Sequence, residues 1–286
     1  MDVKDIKKVG VVGCGVMGNG IVITCAQSGY PVIVSEINEQ VLTKGLSTVD
    51  KFLSKSVEKG KLSDKDKAAI LGRIKGTTNI ADFKDCDIVI EAATENMELK
   101  KKIFADLDKI CPKHAILSTN TSCLSVIELA MMTKRPEKVL GLHFMNPVPI
   151  MSLLEIVRTI ATNNETLEFG KTFGKTLGKT IVIAKDTPGF LVNRLMMPYL
   201  MDAIRIYEAE VATKEDIDAS IHLGLNHPMG PLTLADHIGL DTCLFVTSAM
   251  YEEFKDPKNA PPPLLRKMVT AGWLGRKSGK GFYEYK

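Results

Sequence analysis

The segment Gly13-Cys14-Gly15-Val16-Met17-Gly18 directly follows the apolar run Val9-Gly10-Val11-Val12, and a G-x-G-x-x-G turn placed there admits few chain paths. The first glycine permits a tight turn out of a strand, the second lets the backbone approach a diphosphate, and the third lets the next helix pack closely on the strand. The diphosphate then sits on the helix N-terminus, where unpaired N–H groups favour negative charge. Glycine-rich turns also close ordinary strand-helix units, so the pattern gains weight from a second apolar run, 31–35, which ends in Glu36, 18 residues after Gly18. A carboxylate at that interval accepts hydrogen bonds from a ribose hydroxyl and repels a 2′-phosphate. With Ile37 and Asn38 next and no adjacent arginine, the residues point to NAD rather than NADP.

Short β-branched runs at 9–12, 32–34, 88–90, 115–118, 139–144, 153–157 and 180–184 read as strands of one largely buried sheet. Helical patterns at 16–28, 39–59, 64–74, 99–110 and 165–177 alternate with them, which predicts an α/β, Rossmann-like, doubly wound and mostly parallel sheet over residues 1–186. Asp186-Thr187-Pro188-Gly189 breaks the alternation, and beyond it the periodicity is helical, so residues 187–286 are expected to form an all-helical C-terminal domain. Its apolar residues crowd more than one helix face, which suits either a homodimer interface or packing on the nucleotide domain.

A chain of 286 residues can bury a sizeable core. Its formal charge of +3 is too small to argue for nucleic-acid binding. Six cysteines without a C-x-x-C spacing fit a reduced intracellular setting better than disulfides or a metal site. Acidic residues at the N-terminus and no apolar run long enough to cross a bilayer lead to the expectation of a soluble cytoplasmic protein without membrane partners.

Chemistry is expected at His143, which closes the run 139–143, and at Glu155, 12 residues further on inside an aliphatic run. A carboxylate among aliphatic neighbours is costly to bury without a partner, and a histidine is the obvious one. Glu155 would orient the imidazole while its other nitrogen faces substrate, as in a general base and its orienter. Taken alone, such a pair is more often structural; the adjacent nucleotide motif favours catalysis. The polar run Ser118-Thr119-Asn120-Thr121-Ser122 follows a predicted strand and either lines the ligand crevice or caps the helix expected at 124–132. Asn193 either reaches the same crevice or caps a helix. Lys51, Lys55 and Lys59 recur every four residues as a basic stripe, which is either a phosphate contact or an ordinary solvated face.

The motifs at 13–18, Glu91-Ala92-Ala93-Thr94-Glu95-Asn96, 118–122, His143-Phe144-Met145-Asn146-Pro147, 188–194, Asn226-His227-Pro228-Met229-Gly230-Pro231 and 272–283 occur together and in order. In them the chain resembles the 3-hydroxyacyl-CoA dehydrogenases, and among these the short bacterial 3-hydroxybutyryl-CoA dehydrogenases. The resemblance implies that His143 is the catalytic base, Glu155 its partner, and that Ser122 and Asn193 contact the thioester or its 3-oxygen. It implies NAD contacts from Gly13, Gly15, Val16, Met17, Gly18, Glu36, Glu95, Lys100, Ser122, Asn146 and Lys277, with no metal. Glu36 stands where many relatives have aspartate; the added methylene alters geometry without removing the acceptor. Reversible hydride transfer between NAD(H) and an (S)-3-hydroxyacyl-CoA follows, with a homodimer as the expected assembly. Two rivals remain open at this stage: a dehydrogenase of a free hydroxy acid on the same fold, and a crystallin-like nucleotide-binding protein without chemistry.

Overall fold

The structure, a computed structural model, describes residues 3–285. Contacts divide the chain into two compact units, Met1–Asp186 and Thr187–Lys286.

The first unit is an eight-stranded sheet flanked by helices. In chain order it comprises β1 (Val9–Val12), α1 (Val16–Gln27), β2 (Val32–Ser35), α2 (Glu39–Glu58), α3 (Asp64–Leu71), β3 (Ile74–Thr77), β4 (Ile88–Glu91), α4 (Met97–Ile110), β5 (Ile116–Thr119), α5 (Val126–Ala130), β6 (Val139–Phe144), β7 (Leu153–Arg158), α6 (Asn164–Thr176) and β8 (Thr180–Lys185). The strand order is β3-β2-β1-β4-β5-β6-β7-β8. All neighbours run parallel except β6 and β7. The doubly wound, mostly parallel sheet expected from the apolar runs is therefore the observed one.

Local chemistry accounts for the elements. β1, β2, β4 and β5 are buried along their whole length, as a sheet covered on both faces requires. In α2 the buried residues Leu42, Gly45, Val49 and Leu53 recur at helical spacing, and the Asn38 side chain starts the helix by accepting from the Val41 N–H at 2.9 Å. Asn96 starts α4 in the same way on the Leu99 N–H. The order reverses at β1, where the chain moves to β2 on one side and later to β4 on the other; such a switch point opens a crevice at the carboxyl ends of the strands.

Two local expectations need correction. The helix expected over 64–74 stops at Leu71, and residues 74–77 form the edge strand β3. The helix expected over 124–132 is confined to α5, whose first N–H groups, those of Val126 and Ile127, are taken by the Asp186 carboxylate at 3.0 and 2.7 Å.

The second unit contains α7 (Val192–Glu208), α8 (Lys214–Gly224), α9 (Pro231–Ile238), α10 (Leu240–Phe254) and α11 (Pro263–Thr270). Asp236, fully buried on α9, accepts from the N–H groups of Phe282 and Tyr283 and from the Tyr285 hydroxyl, and so holds the tail against the helices. Burial pushes its carboxyl above the usual carboxylate range, against the pull of those three donors.

Candidate active site

The glycine turn between β1 and α1 divides its labour as the motif requires. Gly13 has φ +96°, and a Cβ there would lie 2.7 Å from the Ala92 carbonyl oxygen; one on Gly18 would lie 1.9 Å from the Gly13 carbonyl oxygen. Both positions therefore need glycine for packing. A Cβ on Gly15 would meet nothing within 4 Å, so its absence leaves open space beside the backbone. Among the described residues no side chain caps α1, and its first turn carries no acid, which suits those N–H groups to an anionic ligand.

A cavity of about 400 Å³ opens beside this turn, lined by Gly13, Gly15, Glu36, Ile37, Ala93 and Leu99 among others. The Glu36 carboxylate sits at its edge, accepting from the Cys14 N–H at 2.6 Å and the Ile37 N–H at 3.1 Å. An open backbone face, an uncapped helix and an acid beside an apolar slot fit the diphosphate and adenosine half of a dinucleotide. Val16 is exposed and Met17 half-buried in the first turn of α1.

The second cluster lies at the same carboxyl edge of the sheet. His143 and Glu155 are direct cross-strand partners in the antiparallel β6–β7 ladder, and the ladder brings His143 Nδ1 to 2.5 Å from Glu155 Oε2. Glu155 is fully buried and His143 nearly so. Because a carboxylate only accepts, the proton of this bond belongs to Nδ1; Nε2 lies 3.0 Å from the Ser122 hydroxyl, accepting from it when the ring is neutral and donating to it when the ring is protonated. The segment 118–122 is held from several sides. Asn120 Oδ1 accepts from the Phe144 N–H, and Glu95 Oε1 accepts from the Thr121 hydroxyl and from the Ser122 N–H at 3.0 Å. Thr121 turns the chain on the Leu124 N–H, so the run shapes the site rather than capping α5.

Lys100, expected on the cofactor, is held between two carboxylates. It is almost fully buried, and its ammonium lies 2.7 Å from Glu91 Oε1, 3.2 Å from the Ala93 carbonyl oxygen and 3.3 Å from Glu95 Oε2. Glu91, to which sequence reasoning assigned no role, is the fully buried carboxylate that holds it. The signal available was an acid ending an otherwise aliphatic strand.

A further cavity, of about 450 Å³, lies between α1, α2 and the β6–β7 loop; Lys44, Thr48, Phe52, Asn146 and Val148 help line it. Lys51, Lys55 and Lys59 are exposed and make no ion pair among the described residues. Lys44 was missed, although it lies on the same helix one turn before Thr48. In the second unit, Asn193 is half-buried in the first turn of α7, and Lys277 pairs with Asp241 at 2.6 Å.

Residues 8–187 match the NAD binding domain of 3-hydroxyacyl-CoA dehydrogenase, and residues 189–285 match the C-terminal domain of the same family. A probable 3-hydroxybutyryl-CoA dehydrogenase of Deinococcus radiodurans is 48% identical over 97% of this chain and 100% of its own length. The 3-hydroxybutyryl-CoA dehydrogenase of Mycobacterium tuberculosis is 46% identical over 98% and 99%. Among solved structures, the (S)-3-hydroxybutyryl-CoA dehydrogenase PaaH1 of Ralstonia eutropha superimposes with a TM-score of 0.95 at 46% identity, covering 99% of this chain and 100% of that one. The chain belongs to the 3-hydroxyacyl-CoA dehydrogenase family.

Proposed function

We propose that this protein interconverts (S)-3-hydroxybutyryl-CoA and acetoacetyl-CoA with NAD(H). The observation that carries this reading is the buried His143–Glu155 pair, with Ser122 on the outer nitrogen, at the same sheet edge as the glycine turn.

When bound, NADH supplies the hydride. Gly13, Gly15, Val16, Met17 and Gly18 receive the diphosphate, and Glu36 accepts from the ribose in exchange for its present bond to the Cys14 N–H. His143 delivers a proton from Nε2 to the 3-oxygen in reduction and removes it in oxidation; Glu155 fixes the ring orientation and supports the imidazolium. Ser122 holds the thioester or its oxygen, Asn193 is assigned the same part on family resemblance alone, and Asn146 on the β6–β7 loop would border the cofactor. Glu95 contributes through the Ser122 segment. Lys277 is assigned to the cofactor on family resemblance alone.

Coenzyme A carries phosphates, and the basic face of α2 beside the 450 Å³ cavity suits them: Lys44 at the wall, with Lys51, Lys55 and Lys59 beyond it. On the helical unit Leu195, Val211 and Leu223 are each more than 70% exposed, which supports a homodimer that covers them. Six unpaired, buried cysteines suit the reducing cytoplasm.

The test is NADH oxidation followed by absorbance, with acetoacetyl-CoA beside acetoacetate and NADPH as the control. Activity confined to NADH and the thioester is expected. Activity on acetoacetate alone would transfer the site to a free keto acid, and a preference for NADPH would remove Glu36 from ribose recognition.

A further inference from the structure

Glu91 ends β4 as the single charged residue of an otherwise aliphatic strand, Ile88-Val89-Ile90-Glu91, and its carboxylate is completely buried. Three donors converge on it, each at 2.7 Å: the Ala93 N–H and the Lys100 ammonium on Oε1, and the Thr119 hydroxyl on Oε2. One side chain thereby ties the ends of the adjacent strands β4 and β5 to the first turn of α4.

A buried ion pair is a poor way to gain stability, since aliphatic residues of similar volume serve as well or better. This pair does something an aliphatic pair cannot. Lys100 lies 3.3 Å from Glu95 Oε2, and Glu95 is only partly buried, free by its position to turn toward solvent. The ammonium draws it inward, and the opposite oxygen of Glu95 then accepts from Thr121 and from the Ser122 N–H. The Ser122 hydroxyl in turn lies 3.0 Å from His143 Nε2. A continuous path of ionic and hydrogen bonds runs from the buried end of β4 to the working nitrogen.

We propose that Glu91 and Lys100 are positioning residues: the buried pair aims the Glu95 carboxylate at the Ser122 segment and so sets the hydroxyl that faces His143. The inference rests on the reading of His143 as the acid-base group, and it changes the part of Lys100 from a cofactor contact to a support of Glu95.

Glu91→Gln keeps the shape and removes the charge that holds Lys100. Lys100→Met leaves Glu91 buried without a counter-charge and is liable to misfold, so the neutral double variant Glu91→Gln/Lys100→Met accompanies it. Two readouts separate positioning from plain structure. In steady-state kinetics Glu91→Gln and the double variant lose at least tenfold in kcat, while the KM for acetoacetyl-CoA and the Kd for NADH, read by fluorescence titration, change less than threefold. In nitrogen-15 spectra of the five histidine rings, the His143 signals, assigned by their loss in His143→Asn, move in both variants in the absence of any ligand. Unchanged His143 signals, or wild-type kcat with only a lower melting temperature, would overturn the proposal. So would a tenfold weaker NADH Kd in the double variant with kcat intact, which would return Lys100 to the cofactor. If the wild-type protein does not turn over acetoacetyl-CoA, the proposed function fails, and the ring spectra still decide whether Glu91 governs His143.

Discussion

His143 and Glu155 carry distinct duties that separate substitutions can expose. His143→Asn removes the proton carrier and is expected to lower turnover by about 10²- to 10⁴-fold with NADH binding nearly unchanged, as single-turnover kinetics and fluorescence titration will show. Glu155→Gln keeps the volume but presents an amide that can donate to Nδ1 and select the other tautomer, so a loss of similar order, about 10²- to 10⁴-fold, is expected with the fold intact. The pair itself was legible from residue types: a carboxylate inside an aliphatic run demands a partner, and the structure supplies the expected one at 2.5 Å. The Glu91–Lys100 support was legible only in part: an acid ending an aliphatic run signals a need for partners, but Thr119 comes from a neighbouring strand 28 residues away and no local pattern shows which strands adjoin.

Among the elements, α2 and the β6–β7 loop decide how the thioester is held. If the basic face of α2 receives phosphate, Lys55→Ala raises the KM for acetoacetyl-CoA severalfold at low ionic strength, leaves the NADH Kd unaltered, and loses its effect as salt is added. Equal effects on both ligands would make the stripe a solvated face. Gly20 on α1 touches the same loop: a Cβ there would lie 2.7 Å from Val148 Cβ. Gly20→Ala is therefore expected to cost about 1–3 kcal/mol in urea unfolding and to raise the thioester KM by pushing on the cavity wall. Strands buried on both faces were readable because they are continuous β-branched runs. β3 escaped because Ile74-Lys75-Gly76-Thr77 holds one large apolar residue; as an edge strand it needs no more, and its Gly76 gives Leu42 and Leu46 of α2 room to pack. α5 was overestimated because its start is set by Asp186, a residue far along the chain.

At the scale of the whole molecule, burial silences every cysteine. Desolvation pushes all six thiols up to about 12, so none offers thiolate at neutral pH. The native protein is expected to show no thiol reactive toward an aromatic disulfide reagent at pH 8, and six after denaturation. A raised folded-state value stabilises the fold fully below the ordinary thiol range near 9 and loses that contribution as pH climbs toward 12, so unfolding in strong alkali follows. The exposed apolar residues Leu195, Val211 and Leu223 of the helical unit predict a dimer by sedimentation, which Leu195→Asp with Leu223→Asp should dissociate. The ladder between β6 and β7 has a different kind of consequence. Because His143 and Glu155 face each other rung to rung, their meeting is a matter of strand register, and a slip of one residue would turn one of them to the other face of the sheet. The connecting stretch also walls the cavity, so substitution at Pro149, beside the anchored Val148, is a place to seek new thioester specificities with the proton-transfer pair left in place.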